Sequence, residues 1–222
     1  MPIVAHPRDS QHACVRRTLT LVTKREDGRT ARRDRNSDAV LDTVHEMFVE
    51  GNFSPSVEDV AARSGVSLRS VYRYFEDTEA LLHLAIERRV TLVGELYALD
   101  DLGEGSLADR VLALVNQRLV IHSKLAPTIR AAILRAPSSP QIADQVRQRR
   151  DLLAAQVAAQ FEAEVAALSR SRREELFAGI DALCSFDTME DLRVRRGMSI
   201  SRARRVMVGG VTALLAGADE NK

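Results

Sequence analysis

The sequence predicts an all-α protein. An N-terminal helix-turn-helix is followed by a C-terminal helical domain. Three observations predict it. Apolar residues recur at helical spacing from Ser37 onward. No convincing strand alternation appears in that stretch. Two short helical segments meet across a tight glycine turn at Ser64-Gly65-Val66-Ser67.

Three units follow along the chain: a basic arm over 1–33, a helix-turn-helix domain over 34–83 and an all-helical domain over 84–222. Residues 1–33 mix Pro, His, Arg, Thr and Asp without a sustained period, and are expected to be disordered. The cluster from Arg29 to Arg35 reads either as a solvated tail or as an arm that touches phosphates. Ser37 is a plausible N-cap for the first helix, whose stripe is Val40, Leu41, Val44, Met47 and Phe48. Ser56 caps a second helix, with Val57, Val60 and Ala61 facing inward. Ser67 caps a third over Leu68 to Phe75. Thr78 caps a fourth that carries Leu81, Leu82, Ala85 and Ile86. Further helices are expected near 106–123, 126–136, 140–168, 171–187 and 199–216, with breaks at Pro and Gly positions such as Ala126-Pro127.

Composition bounds the function. The chain has 222 residues, a net charge of +1 and two cysteines, Cys14 and Cys184. Its length supports a core without disulfide staples. A near-zero total argues against uniform attraction to nucleic acid, but the charge is uneven. Residues 1–36 carry nine basic and four acidic side chains, a net of +5; residues 37–100 carry a net of −7; residues 101–222 carry a net of +3. No apolar run is long enough to span a membrane, and the N-terminus lacks the apolar core of a signal peptide, so a cytoplasmic protein is expected. His6, His12, His45, His83 and His122 are scattered, and no glycine-rich phosphate loop or metal-ligand spacing occurs. We therefore expect no enzyme, no metal and no cofactor.

Residues 56–75 meet the demands of a helix-turn-helix. Close crossing needs a small residue, supplied by Ala61. The turn needs a left-handed residue, supplied by Gly65. The second helix needs a buried aliphatic residue facing the first, supplied by Val71. The second helix is also free of acids. Arg69 and Arg73 are four apart and share a face, where an arginine can grip guanine O6 and N7. Ser70 is within reach of a base edge or a phosphate. Tyr72 and Tyr74 carry hydroxyl donors for phosphate. Ser56 and Ser67 sit at helix N-termini, where they either cap alone or also receive phosphate.

The run from Ser56 to Leu82 resembles the DNA-binding segment of the TetR family of transcriptional regulators. The most specific part is Tyr72-Arg73-Tyr74-Phe75 followed by Glu79-Ala80-Leu81-Leu82, and Phe48-Val49-Glu50-Gly51 also fits. Thr78 stands where the family commonly has a phosphate-contacting Lys. The resemblance implies a sequence-specific, ligand-responsive repressor that binds a pseudo-palindromic operator as a homodimer. It implies three partners: double-stranded DNA, a second copy and a small-molecule effector. It also implies a four-helix dimer bundle built from the two C-terminal helices, with Phe186, Val206, Gly209, Gly210 and Ala213 as candidate contacts. The paired glycines read as a close approach to a partner helix or as a kink. His122, Phe161, Phe177 and Met189 are candidate pocket residues, each equally open to plain core packing. Cys184 reads as an inert buried thiol. The alternative function is a helical protein-interaction module on a helix-turn-helix scaffold that no longer binds DNA.

Overall fold

The computed structural model of the protein describes residues 12–219, with side chains described over 30–217. Among the described residues all regular structure is helical. No helix there is long and apolar enough to cross a membrane.

Helix α1 spans His12–Val49. Residues 12–33, expected as part of a disordered arm, continue this helix, and Ser37 lies inside it rather than capping it. No proline follows Pro7 before the helix ends, so nothing interrupts the backbone ladder. Residues 31–35 are exposed, and burial begins at Val40. Over 31–35, local hydrogen bonding rather than burial carries the helix. Residues 1–11 of the expected arm lie outside the described residues.

Helices α2 (Val57–Ser64), α3 (Leu68–Tyr74) and α4 (Thr78–Leu92) complete the N-terminal unit. Asp77, not Thr78, caps α4: its carboxylate accepts from the Ala80 amide at 2.8 Å, which leaves Thr78 as the first helical residue. The first core joins Val40, Val44 and Phe48 of α1 to Val60, Val71, Phe75, Leu81 and Ile86. It also takes in Ala131, Ala132 and Ile142 from beyond the unit.

Helix α5 (Leu107–Arg135) is continuous where two helices were expected. Pro127 has no amide hydrogen, so the Ser123 carbonyl loses its helical donor. Ser123 is exposed and water can replace that donor. Leu125 and Ala131, both fully buried on either side, hold the helix to the cores. The expected helix over 140–168 divides at Phe161 into α6 (Pro140–Gln160) and α7 (Glu162–Val165). The helix expected over 171–187 divides at Cys184 into α8 (Arg170–Leu183) and α9 (Phe186–Glu190), because the Ser185 hydroxyl caps a new turn at the Thr188 amide. A π-helical turn, Asp191–Arg195, leads to α10 (Ile200–Asp219). The second core packs α5, α7, α8 and α10 around Leu114, Phe161, Ile180, Met207 and Val211.

Candidate nucleic-acid interface and internal cavity

Local chemistry builds the paired helices. The Ser56 hydroxyl accepts from the Asp59 amide at 3.1 Å and donates to the Asp59 carboxylate at 2.6 Å. Glu58 and Asp59 sit in the first turn of α2, where the helix dipole favours them. Gly65 ends α2 at φ 68°, the left-handed conformation that an L side chain resists. Val60, Ala61, Val66 and Val71 then close the crossing. Ser67 begins α3 without a side-chain cap; its hydroxyl donates to Ser70 Oγ at 3.0 Å.

The outward face of α3 presents Arg69, Tyr72 and Arg73, all exposed. Arg69 has no hydrogen-bond or ionic partner among the described residues. The guanidinium of Arg73 lies 5.2 Å from the Tyr74 ring centre and donates to its hydroxyl at 3.2 Å. The two tyrosines differ. Tyr72 donates to Glu58 Oε1 at 3.2 Å, and the Glu58 charge raises its pKa. Tyr74 is half-buried, stands edge-on to Phe75 and accepts from Asn36 at 3.5 Å. That bond, with the one from Arg73, lowers its pKa. Tyr74 therefore fixes α3 against α1. Thr78 is half-buried at the start of α4.

Half of the twelve acids of the −7 block pair with arginines. Asp38, Asp42, Glu46 and Glu50 recur every fourth residue along α1. Arg63 of α2 pairs with Glu46 and Glu50, and Arg88 of α4 pairs with Asp38 at 2.7 Å and Asp42 at 3.1 Å. The i, i+4 ladder is visible in the sequence, but its partners are not.

In the second half, a cavity of about 430 Å³ opens among α4, α5, α6, α8 and α9. Its wall is mainly apolar, with Ile86, Val90, Ile121, Ile129, Leu153 and Phe186. Of the four candidate pocket residues only His122 lines it. Phe161 and Met189 are buried in the second core and Phe177 packs against that core. His122 is 3% exposed, and burial holds its pKa down, at about 4. Its ring is therefore neutral, and Nε2 donates to the Cys184 carbonyl at 2.9 Å. Nδ1 is left without a partner. The His122 ring also stands edge-on to Phe186 at 5.8 Å. Burial pushes the neighbouring Cys184 thiol up to about 12.

Sequence reasoning missed Arg118, which also lines this cavity and is 1% exposed. It donates to Gln117 Oε1, to Gln156 Oε1 at 2.9 Å and to the Leu153 carbonyl at 2.8 Å. Burial lowers its pKa. Its place in an apolar helical stripe is the signal that could have found it, since arginine is rarely buried without a reason.

The dimer candidates separate. Phe186 lines the cavity, and Gly210 packs within the chain: a Cβ there would lie 2.9 Å from Leu183 Cδ1. That contact accounts for Gly210 without a partner helix, and α10 continues through both glycines unbroken. Val206, Gly209 and Ala213 are exposed on one side of α10.

Comparison with known proteins agrees with this geometry. Residues 40–85 match the family model described as bacterial regulatory proteins, tetR family. The fold is similar to that of a crystal structure assigned to the TetR family of transcriptional regulators, from Mesorhizobium loti MAFF303099. The TM-score is 0.61 and the identity 17%, over 83% of this chain and 97% of that one. No curated protein matches the chain. The two crossed helices and the exposed arginines of α3 thus lie within residues 40–85, the segment that matches the tetR family of bacterial regulatory proteins.

Proposed function

We propose that the protein is a ligand-responsive repressor that binds a pseudo-palindromic operator as a homodimer. The observation that carries the DNA reading is the exposed, acid-free face of α3. Arg69 and Arg73 stand outward there while Val71 and Phe75 anchor the helix behind them. Tyr72 and Ser70 flank the arginines and suit phosphate. Ser56 and Ser67, at the N-termini of α2 and α3, keep amide groups near the same surface. Thr78 contributes at most an uncharged hydroxyl there.

The cavity supports the ligand part. Ile86 and Ala132 belong both to the first core and to the cavity wall. A molecule that fills the cavity therefore presses on residues that position α1 and α4. Its effect on DNA affinity equals its preference for one of the two arrangements. Val206, Gly209 and Ala213 form the open side of α10 that a second copy would cover, which gives two α3 helices related by a two-fold axis.

Selection from a random duplex library followed by sequencing tests the reading. The expected product is an inverted repeat with half-sites about one helical turn apart. Recovery of no enriched sequence, with the protein folded, would overturn it in favour of a protein-interaction module.

A further inference from the structure

We propose that the molecule held in the cavity is a small apolar carboxylate, seated with its carboxylate on the guanidinium of Arg118. The inference rests on reading the cavity as the effector site, and it names the effector's chemistry.

Arg118 is a buried charge with no carboxylate in contact among the described residues. Its acceptors are two side-chain amides and one backbone carbonyl, all neutral. Among the described residues no carboxylate lies within ion-pair distance of it. The same helix shows the usual arrangement two turns earlier. Arg110, 7% exposed, grips both carboxylate oxygens of Glu164, with one bond at 2.9 Å. A guanidinium taken out of water needs an opposite charge to offset the loss of hydration. Asp181 lines the same wall and acts on Arg118 only from beyond contact. Burial raises its pKa, against the pull of Arg118 and Arg150.

The donor count fits a carboxylate. A guanidinium has five N–H donors, and three acceptors are taken up here. The remainder suits the two oxygens of a carboxylate, whose spacing matches the guanidinium fork. Of the other carboxylates in the wall, Glu87 accepts from Gln145 at 2.9 Å and faces Arg149 at 3.5 Å, and Asp187 is exposed. A cationic ligand would meet three arginines, Arg118, Arg149 and Arg150, in the same wall. The aliphatic and aromatic remainder of the wall suits a hydrocarbon body.

Titration calorimetry on the full chain with octanoate, octan-1-ol, octylamine and methyl octanoate tests this, with DNA affinity measured alongside. Octanoate is expected to bind about tenfold or more tighter than the alcohol and the ester, with the amine weakest. Arg118→Met should remove that preference while leaving the alcohol unchanged, and Arg118→Lys should keep part of it. The ester comparison needs no variant, so it decides the matter even if the substitutions unfold the protein. Equal binding of octanoate and its ester, or no binding by octanoate, overturns the proposal. Tight carboxylate binding that leaves DNA affinity unchanged upholds the site and removes the effector reading. A change in DNA affinity caused by the alcohol or amine alone upholds the effector reading and overturns the carboxylate.

Discussion

Arg63 of α2 grips both carboxylate oxygens of Glu50 at the end of α1. This pair joins the first helix of the helix-turn-helix to the helix that supports it, and it neutralises part of the acidic block beside the DNA-binding face. Both partners are exposed, so salt should weaken the pair. Arg63→Ala is expected to lower the melting temperature slightly in low salt. In about 1 M salt, where the screening length is about 3 Å, the difference should fade. A difference that persists would mean that the stem of Arg63 stabilises by packing.

Arg73→Ala and Arg69→Ala should relax sequence preference at one base pair in each half-site, by about 1–3 kcal/mol of discrimination. Binding to single-base operator variants measures it. Equal loss on every sequence would reassign that arginine to phosphate. The open position of Arg69 makes its variant the cleaner of the two, because Arg73→Ala also removes the contact with Tyr74.

Gly65→Ala should cost about 1–2 kcal/mol, the strain of a left-handed residue with a Cβ. Nothing lies within 4 Å of the added atom, so backbone conformation is the cause. Chemical denaturation measures it. An unchanged midpoint would show that the turn relaxes to another conformation.

Gly209→Ala and Gly210→Ala should differ. Both gain up to about 1 kcal/mol of helix propensity. At Gly209 nothing in the chain opposes the gain, whereas at Gly210 the new methyl must displace Leu183 Cδ1. Gly209→Ala is therefore expected to melt higher than Gly210→Ala. The reverse order at high protein concentration alone would place a partner helix against Gly209.

The His122 ring takes up a proton at about 4 in the folded state, against its ordinary 6.5 when unfolded. Above pH 6.5 both states are neutral and the group has no effect. As pH falls from 6.5 to 4 the unfolded chain binds the proton and the folded chain does not, so stability declines. The decline is at most about 3 kcal/mol. Stability of the wild type and of His122→Asn, followed by denaturation between pH 4 and 7, should show a shallower slope in the variant. His45, also lowered by burial, contributes in the same window and keeps its share in both proteins. Identical slopes would show that His122 does not stay neutral.

The helix-turn-helix was legible because its determinants lie close together in the chain. Ala61, Gly65 and Val71 are a small residue, a left-handed turn and an inward aliphatic within a dozen positions. The cavity was not. His122 and Arg118 meet Leu153, Asp181 and Cys184 only through tertiary packing, and no local period encodes that meeting. Phe161 and Met189 show the limit from the other side: residue type alone cannot separate a cavity wall from a packed core. At Gly210 the sequence reading was a close approach to a partner helix or a kink, whereas the close approach is to Leu183 of the same chain. The start of α1 was obscured for a different reason. The polar stretch before Val40 has no apolar stripe, yet nothing in it forbids a helix that begins farther upstream.

The first core does not end where the DNA-binding helices end. Ala131, Ala132 and Ile142 come from α5 and α6 and seal the underside of Val40, Phe48 and Leu81. A hybrid regulator made by joining residues 34–83 to an unrelated body would leave that underside wet. The crossover points that permit such grafts, in the laboratory or by recombination, therefore lie in helices far along the chain. The DNA-binding end and the helical body can be exchanged between relatives only if a matched strip of α5 and α6 travels with the DNA-binding end.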